Sequence, residues 1–235
     1  MLNSDIIALI ITFALSLIWL RINDFAAHKG WVSSQLSRKI IHIGTGPIFV
    51  LCWLLFPNTS ASRYIAALVP LAITTQFFLV GIGVLRDDSA VQAMSRTGEP
   101  GEILRGPLYY GLIFVACTIL FWYDSPIGIV ALMLMCGGDG LAEILGRNFG
   151  RSHLPWNPRK TWIGSLGMFL GGLLLSSSVI AIFVWIGIFS TSFLDIFPNL
   201  VIISLAGTAV ESLYLRDLDN ITVTLTAVIL GYFLF

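Results

Sequence analysis

The sequence predicts an all-α polytopic membrane protein, and its composition, its apolar blocks and its charge balance support this fold class. Of its 235 residues, 57% are hydrophobic and 11% are charged, whereas soluble domains carry about 25% charged residues. The mean hydropathy is +0.89, and the apolar residues form long blocks, each close to the ~20 residues that cross a bilayer as a helix. The formal net charge is zero at pH 7, so no basic field favours nucleic acid as a partner.

The apolar blocks divide the chain into about eight predicted transmembrane helices. In order, they cover residues 5–20, 40–56, 64–85, 107–123, 126–146, 162–189, 198–215 and 221–235. The block 162–189 is long enough to tilt or break, and the block 221–235 is short for a span. The rest of the chain is too short for a separate soluble domain, so residues 1–235 are expected to form a single membrane domain. No basic residue precedes the first block, which predicts a retained helix and no transit peptide.

The basic residues predict which side of the membrane each connection faces. Of the 13 Lys and Arg residues, all but Arg63 lie in the first, third, fifth and seventh connections. Because basic connections stay on the cytoplasmic side, this asymmetry places both termini outside. The three long connections, residues 21–39, 86–106 and 147–161, all fall on the inner, basic side, where we expect any chemistry.

Three acidic residues lie inside apolar blocks, where an unpaired charge is costly, and they are candidates for function. They are Asp139, Glu143 and Glu211. Asp139, Glu143 and Arg147 are spaced four residues apart and share one helix face. An adjacent stripe at the same spacing holds only small residues: Gly138, Ala142, Gly146 and Gly150. The stripe also fits plain helix packing with a structural Glu143–Arg147 pair, but the two carboxylates beside it favour a site.

The connection after this helix is basic and leads into a helix start. Arg159 and Lys160 precede Thr161, Gly164 and Ser165 at the sixth block. Free N–H groups at a helix N-terminus suit phosphate, and the two cations add charged contacts. Carboxylates that can hold Mg²⁺ and a basic helix start are the two halves of a nucleoside triphosphate site. The alternative is that these cations only follow the positive-inside rule.

Two further polar groups are expected on the same side. Arg38, Lys39 and His42 can share one face at the inner end of the second block, although a lone histidine in an apolar helix is usually a packing residue. Glu211 precedes a polar cluster that returns to this side. The cluster comprises Arg216, Asp217, Asp219 and Asn220.

These residues together resemble the dolichol kinase and phytol kinase family. The chain resembles that family's CTP-binding motif at Asp139-Gly140-x-Ala142-x-x-x-Gly146-x-x-x-Gly150, followed by Lys160-Thr161-x-x-Gly164-Ser165. The family's early signature resembles Arg38-Lys39-x-x-His42. Stretches of the phytol kinase branch are similar to Arg105-Gly106-Pro107-Leu108-Tyr109-Tyr110 and Asp219-Asn220-Ile221-Thr222-Val223. The resemblance therefore runs from about residue 38 to the C-terminus.

The resemblance implies a catalytic membrane domain that phosphorylates a prenyl alcohol such as phytol, geranylgeraniol or farnesol. It implies CTP, or UTP, as phosphoryl donor and Mg²⁺ as cofactor. Ile163 stands where dolichol-kinase-like members often have glutamate, which favours the phytol branch. We expect the protein in a bacterial plasma membrane or a thylakoid-type membrane, with its active site on the cytoplasmic side.

The resemblance also implies roles for the candidate residues. Asp139 is the expected main Mg²⁺ ligand, and Glu143 is either a second ligand or the base that accepts the hydroxyl proton. His42 and Glu211 complete the expected catalytic set. The expected nucleotide-binding residues are Arg38, Lys39, Arg105, Gly146, Arg147, Gly150, Arg159, Lys160, Thr161, Gly164 and Ser165.

Two alternatives stay open at this point. A CTP-dependent cytidylyltransferase acting on a lipid phosphate would use the same nucleotide site, but the C-terminal His-Gly-Gly and Asp-Arg-x-Asp signature of such enzymes has no match in the sequence. A transporter coupled to protons or cations would use the intramembrane acids. Transporters often consist of two related halves, and no internal repeat is visible in this chain.

Overall fold

Helices form most of the described chain and follow the order of the predicted apolar blocks. The computed structural model describes residues 2–95, 98–213 and 218–235. The α-helices in these ranges are α1 (Leu2–His28), α2 (Ser34–Cys52), α3 (Ser62–Gly81), α4 (Asp88–Met94), α5 (Gly106–Leu120), α6 (Ile127–Met133), α7 (Asp139–Phe149), α8 (Trp162–Trp185), α9 (Phe193–Glu211) and α10 (Asp219–Leu234). Short 3-10 turns cover Trp53–Leu55 and Pro100–Leu104, and a π-helical turn covers Leu134–Gly138.

Seven helical segments of the described ranges are long and apolar enough to cross a membrane. They are Asn3–His28, Gln35–Leu55, Ser62–Gly81, Pro100–Leu120, Ile127–Phe149, Trp162–Trp185 and Phe193–Glu211. Helix α10 is also apolar but has 16 residues. The prediction of an all-α polytopic membrane protein is therefore confirmed, whereas the eighth crossing and the side of the two termini stay predictions.

Local capping explains where α2 differs from its predicted block. The helix begins at Ser34 rather than at residue 40, because the Ser33 hydroxyl accepts a hydrogen bond from the Leu36 N–H at 3.3 Å. A serine at this position satisfies one of the free N–H groups of the first turn. Arg38 and Lys39 therefore lie on the helix itself and are held in fixed directions.

A short hairpin joins α7 to α8, where the sequence predicts only a basic connection. Strand β1 (His153–Leu154) pairs antiparallel with β2 (Asn157–Thr161), with His153 opposite Thr161. The hairpin carries the basic residues of β2 directly into the start of α8. This helix runs unbroken to Trp185, so the long sixth block does not break.

The centre of the bundle is the continuous helical segment made of α6, the π-helical turn and α7. All residues of α6 and of the π-helical turn are buried. Helices α2, α5, α8 and α10 contact α6, so apolar side chains surround this part of the segment. The π-helical turn ends at Gly138, directly before Asp139, and such turns are frequent at functional sites.

Glycines allow α8 to lie directly against this central segment. A Cβ on Gly171 would lie 2.2 Å from the carbonyl oxygen of Gly137, and a Cβ on Gly167 would lie 2.8 Å from that of Leu141. Both oxygens belong to the backbone, so a side chain at either glycine would push the helices apart. The close approach fixes the start of α8 beside α7.

Replacing Gly171 by alanine should destabilise the protein by about 1–3 kcal/mol, because the new methyl group meets backbone atoms that cannot turn away. Gly101→Ala is the control, since a Cβ there has no neighbour within 4 Å. Thermal unfolding of the detergent-solubilised variants measures the difference. Equal melting temperatures would contradict this account of the contact between the central segment and α8.

Exposed positions at the two ends of the bundle test the predicted topology. Cysteines introduced at Glu99 and Ser152 should share one labelling pattern, and cysteines at Ser60 and Thr191 should share the opposite one. The native cysteines are buried and should not react. A membrane-impermeant maleimide applied to sealed, uniformly oriented vesicles provides the measurement. Equal labelling at residues 60 and 152 would show that the predicted alternation of spans is wrong.

Candidate active site

A cavity of about 1080 Å³ lies at the end of the bundle that carries the basic connections. Helices α1, α2, α3, α5 and α7, the hairpin and the nearby ends of α8, α9 and α10 contribute to its wall. All the residues that the sequence predicts for the site line this cavity. They are Arg38, Lys39, His42, Arg105, Asp139, Glu143, Gly146, Arg147, Gly150, Arg159, Lys160, Thr161, Gly164, Ser165 and Glu211.

Lys39 of α2 lies between the two carboxylates of α7. Its Nζ donates to Oδ2 of Asp139 at 2.9 Å and lies 2.7 Å from Oε2 of Glu143. The neighbouring Arg38 donates from Nη2 to Oε1 of Glu143 at 3.1 Å. All four side chains are largely shielded from solvent, so ion pairing rather than hydration neutralises their charges. We call these four residues the α2–α7 charge cluster.

The charge cluster does not contain the Glu143–Arg147 pair that the spacing of these residues on α7 allowed. Glu143 and Arg147 share a helix face, but within the described ranges the ion pairs of Glu143 are formed with Arg38 and Lys39. A structural Glu143–Arg147 pair is therefore not what holds this carboxylate. Arg147 lines the cavity instead.

His42 joins the charge cluster one turn along α2. Its Nε2 lies 3.2 Å from Oδ2 of Asp139 and 3.2 Å from the carbonyl oxygen of Met135, in the π-helical turn. The Tyr110 ring packs on the imidazole at a centroid distance of 4.5 Å, and its hydroxyl donates to the His42 carbonyl oxygen at 2.8 Å. When Nε2 carries a proton, it can donate toward both oxygens and so hold Asp139 in place.

The stripe of small residues packs against the start of α8. A Cβ on Gly150 would lie 2.6 Å from Oγ1 of Thr161, and a Cβ on Gly146 would lie 3.4 Å from Cα of Gly164. The Thr161 hydroxyl accepts from the Gly164 N–H at 3.1 Å and caps the helix. Helix packing, the alternative weighed for this stripe, thus accounts for these glycines. The packing also places the start of α8 at the cavity wall.

Lys160 on β2 is the centre of a second group of ion pairs. Its Nζ donates to Oε1 of Glu211 and, at 3.2 Å, to Oδ2 of Asp219. Glu211 is 2% exposed, and its Oε2 is buried without a hydrogen-bond partner in the described part of the chain. Burial works to lower the pKa of Lys160, but the Glu211 and Asp219 carboxylates outweigh it and raise that pKa. The ammonium is therefore a fixed positive charge at neutral pH.

Within the charge cluster, only the two carboxylates could serve a magnesium ion, which would take its other ligands from elsewhere. Within the described ranges, no group of three or more His, Cys, Asp or Glu side chains could hold a metal. Mg²⁺ is usually held by one or two carboxylates together with phosphate oxygens and water. Asp139 and Glu143 supply two carboxylates, and the cations around the cavity suit the phosphates.

Among the cavity-wall residues that sequence reasoning did not assign to the site are Tyr110, His153 and Asn157. Asn157 is 1% exposed, donates to the Ser212 carbonyl oxygen at 3.0 Å and accepts from the Arg159 N–H at 3.2 Å. A polar residue in a connection carries no signal of such burial. Arg96, Arg216 and Asp217, which contribute to the predicted basic and polar connections, lie outside the described residues.

Fold and site together define a polytopic α-helical membrane protein with a charged cavity at one end of its bundle. The chain is 40% identical over 214 residues to a probable chloroplastic phytol kinase of Triticum aestivum, covering 90% of this chain and 71% of that protein. It is 36% identical over 206 residues to phytol kinase 1, chloroplastic, of Arabidopsis thaliana, covering 87% and 68%. It is 38% identical over 209 residues to the chloroplastic farnesol kinase of Arabidopsis thaliana, covering 88% and 68%. The chain belongs to the phytol kinase family.

Comparison with family models gives no match, and no solved structure matches the chain. The relatives correct the expected location. They are chloroplastic plant proteins, which points to a plastid membrane. The expectation of a bacterial plasma membrane is therefore wrong, and nothing in the composition of the spans distinguishes the two membranes.

The raised pKa of Lys160 predicts slow reaction with amine-modifying reagents. Its stabilising charge is present below the usual lysine pKa and is lost only as the pH rises through the higher folded value. Glu211→Gln keeps the shape but removes one negative charge, so the pKa should fall. Reductive methylation of Lys160 at about pH 9 should then increase several-fold.

Mass spectrometry of the methylated protein measures this change, with exposed Lys29 as the internal reference. The Lys29 signal should be the same in both proteins. If Lys160 reacts equally in wild type and Glu211→Gln, its charge does not depend on this carboxylate.

Proposed function

We propose that the chain is a kinase that transfers the terminal phosphoryl group of CTP or UTP to a prenyl alcohol such as phytol, geranylgeraniol or farnesol. The observation that carries the proposal is the α2–α7 charge cluster in one cavity with Lys160 and the start of α8. Relatives named phytol kinase and farnesol kinase support a prenyl alcohol as the acceptor. The pyrimidine nucleotide rests on the motif in residues 139–150 and 160–165.

Phosphoryl transfer needs the donor to be held still and the charge on its phosphates to be neutralised. Lys160, Arg159 and Arg147 line the cavity near the start of α8 and are the proposed phosphate contacts. Arg38, Lys39 and Arg105 add further cations to the cavity wall. The N-terminal end of α8, where the helix dipole is positive, also favours an anion at this wall.

In the proposed reaction, the alcohol oxygen attacks the terminal phosphorus of the nucleotide. The bond from that phosphorus to the bridging oxygen breaks, and the nucleoside diphosphate leaves. The hydroxyl proton passes to Asp139 or Glu143, the two carboxylates nearest to Lys39. His42 holds Asp139 in position through its Nε2 contact.

Asp139 and Glu143 are also the residues that would hold Mg²⁺, which supplies neutralising charge to the phosphates when bound. Lys39 holds the two carboxylates at the same part of the cavity. Glu211 has a different role, because it pairs with Lys160 and sets the position of a phosphate-binding cation.

Incubation of the purified protein with CTP labelled at the terminal phosphate, Mg²⁺ and a panel of prenyl alcohols tests the proposed reaction. Label should appear on the alcohol, and CDP should be released in equal amount. Release of pyrophosphate with a CDP-lipid from an added lipid phosphate would instead identify a cytidylyltransferase. Absence of both products would overturn the kinase and leave the transporter as the alternative.

Asp139→Asn should reduce the rate of alcohol phosphorylation by about 100-fold or more, because it removes a charge at the reacting centre without changing shape. Asp124→Asn is the matched control. Asp124 also forms an ion pair, with Arg63 at 2.6 Å, but it lies outside the cavity wall. Initial rates and melting temperatures are measured together. A folded Asp139→Asn protein with a near-normal rate would show that Asp139 has no part in the chemistry.

A further inference from the structure

The cavity has a second part that phosphoryl transfer does not use. Past His42 and Tyr110, it continues between α1, α2, α3 and α5. Large apolar side chains dominate its wall in this direction. The wall includes Trp19, Phe49, Val69, Ile73, Phe77 and Phe114. We call this part the apolar arm.

Threonines that line the apolar arm do not make it polar. The Thr45 hydroxyl donates to the Ile41 carbonyl oxygen at 2.7 Å, and the Thr74 hydroxyl donates to that of Pro70 at 2.6 Å. Both hydroxyl protons are thus used within their own helices. A ligand in the arm meets mostly hydrocarbon surface, which favours an apolar chain without hydrogen-bonding groups.

The apolar arm ends at a layer of aromatic rings. Phe49 and Phe114 line the cavity, are 3% and 2% exposed, and have ring centroids 5.6 Å apart. Behind them, Trp53 packs on Phe49 at 6.2 Å and on Trp122 at 5.1 Å, and both tryptophans belong to the buried core. From Lys39 to Phe49, α2 rises by about 15 Å at about 1.5 Å per residue. The arm therefore has a limited depth.

We propose that the apolar arm holds the hydrocarbon chain of the acceptor alcohol and that Phe49 and Phe114 limit the chain length. This inference rests on the proposed kinase function and extends it to the choice of substrate. A chain in the arm places its hydroxyl at the level of His42, beside Asp139. A longer chain meets the two rings, and the packed tryptophans behind them leave little room for movement.

Truncation of the two rings tests the inference. Phe49→Ala and Phe114→Ala should deepen the arm and raise kcat/KM for long alcohols relative to short ones by about tenfold. Val69→Phe should narrow the arm and change the ratio in the opposite direction. The panel consists of geraniol, farnesol, geranylgeraniol and geranylfarnesol, each longer than the previous one by one isoprene unit.

Phe183→Ala is the matched control. Phe183 is as fully buried as the two rings, but it packs on Tyr123 and Phe189 and does not line the cavity. Its truncation should lower the melting temperature and leave the ratio between alcohols unchanged. Phe114→Leu, a smaller change, replaces Phe114→Ala if that variant does not fold.

The outcomes separate the two proposals. If the wild-type protein phosphorylates none of the alcohols, the proposed function fails, and the inference fails with it. If the wild type phosphorylates them but the variants at Phe49, Phe114 and Val69 keep the wild-type ratio, the inference alone is overturned. If the truncations raise kcat/KM for long alcohols relative to short ones and Val69→Phe lowers it, the result supports the apolar arm as the site of the hydrocarbon chain.

Discussion

The contact of Lys39 with Asp139 and Glu143 is the interaction on which the site depends. One ammonium group reaches both carboxylates, at 2.9 and 2.7 Å, because the two acids lie one turn apart on α7. Arg38 adds the second positive charge, so the four side chains carry no net charge together. Unpaired charges in this largely apolar bundle would cost several kcal/mol each. Because the four charges neutralise one another, the bundle can hold them beside its apolar core.

The buried part of the central segment fixes the position of the charge cluster. Residues 127–138 are buried on all sides, and Gly171 lets α8 approach their backbone. The charged residues of α7 begin immediately after residue 138, so the buried part of the segment orients them. The same cavity then joins charged groups on α2, α7 and β2 to the apolar arm. A charged part and an apolar part in one cavity suit the proposed reaction between a nucleotide and a lipid alcohol.

Sequence reasoning could predict the residues of the charged part because polar groups in apolar blocks are costly and therefore conspicuous. Asp139, Glu143 and Glu211 stood out in this way, whereas Lys39 was predicted from the helix face that it can share with Arg38 and His42. It could not predict that Glu143 pairs with α2 rather than with Arg147, because both arrangements satisfy the local spacing and only helix packing decides between them. Sequence reasoning also could not predict the apolar arm. An apolar residue such as Phe49 fits the sequence pattern equally well whether its side chain faces lipid, the core or a cavity.

The most direct test of this account is a double-mutant cycle on Lys39 and Asp139, read as the free energy of unfolding in detergent. Lys39→Met and Asp139→Asn each leave the cluster with one unbalanced charge, and loss of one partner of a buried pair costs about 3–5 kcal/mol. The double variant restores the charge balance. We predict that it is less destabilised than the sum of the single variants by at least about 1 kcal/mol. Additive effects would contradict the claim that this ion pair holds the site together.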